Sequence, residues 1–426
     1  MGLNAYQGLG LLQICKKKKI DYHIICLEKD SIYKNLKEGG AKIFCLEEKT
    51  DIRRVPRNTG HLLARKETVK YINEQAGSQK PVIVFFKPSA KISFICKKYH
   101  WLAVGNNPKL AESLENKLSF YTWATKNKLP LIPAKISPLD TNLLSKEPLP
   151  FIIQFKRGWA GKSSFIIESE KDLKKLERFG GQKVKVSPFL EGETFINNGC
   201  VLKNGRILVS PAGKQISGIK DLSNNPLSTT GRQWPAKIRS EDEKEIKKIT
   251  NRLGSLIYKE GYKGFFGADF LITKDKKIFL LECNPRLTAS FVFYTQLEEQ
   301  SGVEPLLWHH LDTFASFTRQ KNIDYQPNIS GSEIIQRNNQ EKPLRIVTSI
   351  PSGHSNSEGK VIDKNLAPQN DPLLVCRPGG SIVQKGDEMF KIISRQLLVD
   401  QDNNLLPEIK KLRNLTLLKL ASEQKN

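Results

Sequence analysis

Between residues 267 and 284 apolar and polar positions alternate in two short runs. GADFLIT (Gly267 to Thr273) and KIFLLECN (Lys277 to Asn284) read as two strands around the polar turn Lys274-Asp275-Lys276-Lys277, the pattern of a β-hairpin. A symmetric four-residue loop sets Thr273 opposite Ile278, and the same register sets Asp269 opposite Glu282. Side chains alternate along a strand, so Asp269, Glu282 and Asn284 are expected on one face. The other face carries Ala268, Phe270, Ile272, Phe279, Leu281 and Cys283, with no polar member. Two carboxylates opposed across strands repel each other, so the pattern calls for a cation there.

The same periodicities divide the chain. Residues 1–108 alternate helix and strand: GLGLLQICKKKKI as a helix, DYHIICLE as a strand, SIYKNLKEGG as a helix, AKIFCLE as a strand. His61 to Gln75 continues as a helix, and PVIVFFKPS and WLAVGNN as strands. That alternation predicts an α/β layer with a parallel sheet. The chain opens on a Gly-rich turn where a first strand is expected, so the start is either trimmed or built without that strand. KLAESLENKLSFYTWATKNK predicts one helix between Pro108 and Pro133. Residues 150–315 hold a second α/β region, in which Ser240 to Gly261 is a helix with a Ser cap, an acidic first turn and a closing glycine. Glu243 and Lys247 on it are an i,i+4 pair. Beyond about residue 318 the chain turns polar and ends in a small β module around CRPGGSIVQKGDEMFKIIS (Cys376 to Ser394). The expected division is 1–108, 109–318 and 319–426, with no internal repeat.

Composition narrows the class. With 38% hydrophobic and 26% charged residues over 426 positions the chain has the make-up of a soluble protein with two or three cores. No apolar run approaches the ~20 residues of a membrane helix. The basic cluster KKKK follows the first apolar stretch instead of preceding it, unlike a signal peptide. Seven cysteines without a C-x-x-C pair argue against a disulfide framework or a structural zinc site, and point to a reducing cytoplasm. A net charge of +24 invites a nucleic-acid partner. The lysines are dispersed, however, without an aromatic-rich basic motif, which disfavours that partner and leaves a general preference for anions.

Two further stretches carry candidate chemistry. PFIIQFKRGWAGKSSFII (Pro150 to Ile167) is strand, loop, strand, with Gly158 and Gly161 in the loop and Ser163 and Ser164 after it. Glycines let backbone N–H groups approach a phosphate, although the spacing is neither the Walker loop nor G-x-G-x-x-G. Lys156, Arg157 and Lys162 suit a flap over polyphosphate better than a plain turn. In VSPFLEGE an apolar strand, Val186 to Leu190, runs into Glu191. A free strand edge followed by an acid suits a nucleoside, and an ordinary strand and turn is the alternative.

Taken in order, these pieces resemble the ATP-grasp superfamily, from about Asn116 to Leu311. ENKLSFYTWATKNKLPLIP resembles the segment whose lysine, here Lys117, reaches the nucleotide phosphates. FIIQFKRGWAGKSSF resembles the flap over the triphosphate, which brings in Gln154, Lys156, Gly158, Gly161 and Ser163. VSPFLEGE resembles the linker that holds adenine through the backbone of Pro188, Phe189 and Leu190, with Glu191 near the ribose. GADF and LECNPR resemble the magnesium hairpin. The resemblance implies Asp269, Glu282 and Asn284 as metal ligands and Arg286 on the phosphate or the acyl intermediate. Relatives often carry a lysine on the first flap strand, where this chain has Gln154. Residues 1–108 resemble the three-layer domain that precedes the ATP-grasp fold in carbamoyl-phosphate synthetase-like and biotin carboxylase-like members.

The resemblance therefore implies an α/β chain of ATP-grasp fold, with ATP and Mg²⁺ (Mn²⁺ as the alternative ion) as cofactors and small-molecule acid and amine substrates. A carboxylate becomes an acyl phosphate, which an amine attacks to give an amide, ADP and phosphate. Lys214, Gln215 and Arg232, between the adenine linker and the hairpin, are candidates for the γ-phosphate or the acid, and a surface loop is the alternative. Trp159 and Trp234 are candidates to shield the intermediate, with packing as the other reading. Two rival readings are a carboxylating or carbamoyl-phosphate-forming enzyme, and a nucleotide-binding module without ligase activity. The pattern names neither the particular acid and amine nor an oligomeric state.

Overall fold

A computed structural model describes residues 1–52, 55–140, 143–158, 163–318, 323–356 and 358–421. In the N-terminal region β1 (His23–Cys26) pairs in parallel with β2 (Lys42–Cys45), and β3 (Val82–Val84) with β4 (Leu102–Val104). The place of the expected first strand is taken by the opening residues themselves. Gly2 bridges Cys26 in parallel, its N–H donates to Ile25 at 3.0 Å, and Leu3 accepts from Glu28 at 3.1 Å.

Two helices expected to be continuous are broken. The 61–75 helix divides into Thr59–Leu63, capped by Asn58 accepting from the His61 N–H, and Lys66–Ala76, with an extended Arg65 between. The 109–128 helix divides into Pro108–Glu115 and Lys117–Lys126. Asn116 (φ −70°, ψ 116°) leaves the helical region, and its side chain accepts from the N–H groups of Leu118 and Ser119. That is an N-cap, and it starts the second helix at Lys117.

A four-stranded antiparallel sheet follows, in the order β5 (Lys135–Pro138), β8 (Lys183–Pro188), β6 (Phe151–Phe155), β7 (Ser164–Ile167). One face buries Phe151, Ile153, Val184 and Val186 with Leu139, Leu173 and Leu176. Alternation turns Ile152, Gln154, Lys185 and Ser187 to the opposite face. β8 is flanked on both sides up to Val186, and from Ser187 onward it pairs with β6 alone, so the free edge begins one residue later than Val186. Only beyond Pro188 does the backbone leave the sheet.

The largest sheet is built from β9 (Gly192–Val201), β10 (Ile207–Val209), β11 (Gly213–Ser217), β12 (Thr229–Trp234), β13 (Gly264–Thr273), β14 (Ile278–Asn284), β15 (Gly331–Arg337), β17 (Gly353–Ser355), β18 (Val361–Asp363), β19 (Leu373–Cys376) and β21 (Glu388–Ser394). Its order is β14-β13-β9-β11-β12-β15-β21-β19-β17-β18, with β10 on β9, so the C-terminal strands continue the central sheet. The short β16 (Leu344–Arg345) and β20 (Ile382–Val383) pair separately. Helix Ser240–Lys259 covers one face, packing Ile246, Ile249, Leu253 and Ile257 against Val201, Phe266, Ala268 and Phe270. Its N-cap is Arg239, not Ser240, and Arg239 instead pairs with Asp242 at 2.7 and 2.8 Å. Glu243 and Lys247 meet at 2.9 Å as expected.

Helices Phe291–Gln300 and Leu306–Ala315 pack on the other face with the N-terminal region. His310 on the second is buried, and its Nδ1 accepts from the Phe265 N–H at 3.0 Å. Gly264 (φ +82°) makes room for it, since a Cβ there would lie 2.2 Å from Nδ1. Burial pulls the imidazole from 6.5 down to about 4, so the unfolded chain takes up a proton below about pH 6.5 that the folded state refuses. Stability is undiminished above that pH and falls as the pH drops toward 4, by about 3 kcal/mol in all. Urea midpoints compared between wild type and His310→Gln should show this slope in wild type alone.

Candidate active site

The β13–β14 hairpin does set Asp269 opposite Glu282, by a different route from the symmetric loop. The turn holds three residues, because the Thr273 N–H donates to Lys277 O at 3.0 Å and Lys276 is left-handed (φ +63°). This is a three-residue hairpin loop closed by an αL residue. Ile272 consequently faces Ile278, and Phe270 faces Leu280. The register then slips at Leu281, so that Asp269 faces Glu282, Ala268 faces Cys283 and Gly267 faces Asn284. A straight ladder from this loop would have opposed Asp269 to Leu281 and turned Glu282 into the apolar layer. The bulge, one extra residue on one strand, rotates Glu282 onto the polar face. The core face of β14 is accordingly Ile278, Leu280 and Cys283, whereas Phe279 and Leu281 are half-buried on the other side.

Around this pair the broken helix delivers two charges. Lys117, first residue of its helix, forms an ion pair with Glu282, and its N–H donates to Lys156 O at 3.1 Å. Glu115, last residue of the preceding helix, accepts from Arg286 Nε at 2.7 Å and also pairs with Lys87. The Arg286 guanidinium donates to Asn284 Oδ1 at 3.0 Å and lies over the Phe86 ring at 5.2 Å. Asn284 Nδ2 donates to Asp269 Oδ1 at 3.4 Å. Burial and the Glu282 charge push the Asp269 carboxyl well up. Burial opposes ionisation of Glu282 too, but the Lys117 ammonium outweighs it and holds that carboxyl down. Glu282 is thus the carboxylate of the pair that is held charged, with Lys117 as its counter-ion. Two carboxylates on one face suit a hard cation, and the Asn284 oxygen, engaged by Arg286, would join them only by turning from the guanidinium. Among the described residues no cluster of three or more His, Cys, Asp or Glu forms a metal site. Further oxygens would therefore come from a phosphate ligand or water.

The polar face continues across the sheet. Asp269 pairs with Ile196, which pairs with Gly213, and two residues on Gln215 pairs with Arg232 and Arg232 with Glu333. Arg232 donates to the fully buried Glu333 at 2.5 Å, and Lys391 of β21 lies 3.8 Å from its other oxygen. Tyr6, 5.3 Å from the Lys391 ammonium, and Asp30, which accepts from the Tyr6 N–H at 2.7 Å, close this cluster from the N-terminal region. The Tyr6 hydroxyl, Asp30 Oδ1 and Glu333 Oε2 are buried without a hydrogen-bond partner.

Not every expected residue joins. Lys214 pairs in register with Phe195, so it leaves from the core face, and its ammonium is taken by Glu193 at 2.6 Å. Alternation puts neighbouring Gln215 on the polar face in its stead. Trp234 is fully buried against Phe293 and Tyr294 and serves packing. Gln154 donates to Ser164 Oγ at 3.0 Å. Ser163 is buried and its carbonyl accepts from the Phe155 N–H at 2.9 Å. Gly158 is required beside it, since a Cβ would lie 2.2 Å from that of Ser163. Lys156 offers its carbonyl to Lys117, and Arg157 pairs with Glu112. Gly161, Trp159 and Lys162 lie outside the described residues. Of the adenine-linker residues, Pro188 is exposed, the Phe189 N–H is spent on Pro150 O at 3.2 Å, Leu190 is half-buried, and the exposed Glu191 pairs with Lys274 of the hairpin loop.

Sequence reasoning passed over Lys185, Glu115, Glu333, Lys391, Tyr6 and Asp30. Only Lys185 had a local signal, the alternation in Lys183-Val184-Lys185-Val186 that sets it opposite the core valines.

Residues 114–290 match the model of the ATP-grasp domain family. A D-alanine–D-alanine ligase from Oenococcus oeni is 30% identical over 168 residues, covering 36% of this chain and 43% of that protein, so the matching segment spans less than half of the ligase's length. In fold, a biotin carboxylase from Campylobacter jejuni superposes with a TM-score of 0.59 at 15% identity over 92% of this chain and 86% of that one. An N5-carboxyaminoimidazole synthetase from Staphylococcus aureus, complexed with ADP, gives 0.57 at 13% over 98% and 96%. Residues 114–290 thus match an ATP-grasp domain, and the fold of the chain agrees with that of these two structures.

Proposed function

We propose that the chain is an ATP-dependent carboxylate–amine ligase that makes an amide or peptide bond through an acyl phosphate. The observation that carries this reading is the bulge-made pair of Asp269 and Glu282 with Lys117 seated on it, a built binding place for a cation. Asp269, Glu282 and Asn284 would hold Mg²⁺, which when bound supplies charge neutralisation for phosphoryl transfer. Lys117 is placed to meet the phosphates. Arg286, held by Glu115 and Asn284, points a fixed guanidinium at the same end, where charge develops in the transition state. Arg232 and Gln215 lie further along the same face and would receive the acid. No covalent nucleophile is called for, and all seven cysteines are buried and unpaired, which suits a reducing cytoplasm. Residues 109–318 would be the catalytic unit, flanked by 1–108 and 319–426. Among the described residues no helix is long and apolar enough to cross a membrane.

The test is ADP release with Mg²⁺ against a panel of carboxylic acids, amino acids and bicarbonate. ADP formation that requires an acid and an amine together is the expected result. Turnover that requires bicarbonate would replace this reading by the carboxylating one. Tight ATP binding that no acid–amine pair converts to turnover would favour a nucleotide-binding module.

A further inference from the structure

A second group in the nucleotide region carries charge with no visible use. Lys185 sits in the middle of β8, and its register partners are Gln154 on β6 and Ile136 on β5. Gln154 in turn pairs with Ser164 of β7. The four side chains therefore form one row across the sheet, on the face away from Phe151, Ile153, Val184 and Val186. A lysine in the middle of a strand is ordinarily paired or flung into solvent. Lys185 is neither. It is half-buried, no carboxylate pairs with it among the described residues, and its ammonium lies 5.6 Å from the centre of the Tyr121 ring. Burial first, and then the Lys117 charge, lower its basicity to about 8, while the Glu282 charge acts the other way. Its ammonium thus stands in the field of Lys117 and Glu282.

The logic that asked for a cation between Asp269 and Glu282 applies here with the sign reversed. The Lys117 charge opposes that of Lys185, and the one carboxylate that favours it, Glu282, is already engaged by Lys117. Gln154, directly across the strand pair, is neutral and bonded to Ser164, so it adds no charge of its own. A half-buried, unpaired cation beside another is stabilised by an anionic ligand of high charge density.

We propose that Lys185 is a phosphate-binding residue, supplying from β8 the ammonium that Gln154 does not supply from β6, so that Lys117 and Lys185 together receive the polyphosphate of the nucleotide. The inference rests on the nucleotide reading above. It goes beyond it in assigning the second cation to a different strand, across the register.

Calorimetric titration of the full chain with MgADP and with adenosine separates the two claims, since neither requires turnover. Lys185→Gln should weaken MgADP binding about tenfold to a hundredfold, the worth of one charge-assisted contact, and leave adenosine affinity unchanged. Lys183→Gln, two residues earlier and exposed on the same strand, should change neither. The exchange Gln154→Lys with Lys185→Gln returns an ammonium to the row from the facing strand and should recover most of the lost affinity. Should the glutamine variant fail to fold, Lys185→Met, which keeps the apolar stem, gives the same reading. Unchanged MgADP affinity in a folded Lys185 variant would overturn the proposal and leave the lysine a packing role against Tyr121. Equal losses for MgADP and adenosine would overturn it too, as a general distortion of the site. A wild-type chain that binds adenosine but gains nothing from the phosphates would overturn it while sparing a nucleoside site. One that binds neither would overturn the nucleotide reading with it.

Discussion

Glu282→Gln should lower acid- and amine-dependent ADP release by about 10²–10³-fold, the scale on which a single preorganised electrostatic group acts, while leaving the chain folded. Glutamine keeps the shape and one oxygen but removes the charge, and with it half of the cation site and the ion pair to Lys117. The thermal cost is expected to be small, because two opposed effects are removed together. The Lys117 pair is lost, but so is the Glu282 charge that, after burial, pushes the Asp269 carboxyl upward. ADP release and thermal unfolding on the same preparations check this. Activity equal to wild type would remove the cation assignment. A collapse of stability would show the carboxylate to be a structural ion-pair partner instead.

The largest expected effect on stability lies elsewhere on the same face. Glu333 is fully buried between Arg232 and Lys391, both of which are themselves less than a tenth exposed. Glu333→Ala leaves the buried Arg232 without its carboxylate and Lys391 with Glu388 alone, 3.6 Å away, and removing one partner of a buried pair costs about 3–5 kcal/mol. The loss should appear as a lower urea midpoint at pH 7. Arg232→Met in the Glu333→Ala background should return part of it, since the buried guanidinium left without a carboxylate is then gone. A midpoint unchanged in Glu333→Ala would mean that the cations find other acceptors, and Tyr6 and Asp30 would be the first to examine.

Much of the hairpin and its surroundings is readable from residue order. The apolar alternation in 267–273 and 277–284 is enough to pair the two strands, and the facing of Asp269 and Glu282 follows from the same alternation. Yet the pair was reached through a loop that does not form. A four-residue turn and a straight ladder predict the facing that a three-residue turn and a bulge at Leu281 produce, two shifts of one residue that cancel. Lys214 shows the opposite outcome. Its neighbourhood in sequence is that of Gln215 and Arg232, but one step along a strand exchanges faces, and it ends on Glu193.

What the chain order determined alone was local: strand and helix periods, the chemistry of the hairpin, the flap glycines and the run of motifs that marks the superfamily. These depend on neighbours within a turn or a strand, and so they survive without the rest of the molecule. The tertiary structure decided where charges meet. The helix period runs unbroken through Asn116, but the break there is tied to a contact from another element, the Lys117 N–H on Lys156 O of the flap region, and it sets both Glu115 and Lys117 at the site. Lys185 gains its meaning only when β6 is laid beside β8, and Glu333 only when β15 is laid between β12 and β21. Register between distant strands is settled by the packing of their apolar faces, and no local pattern encodes which polar residues will then stand side by side.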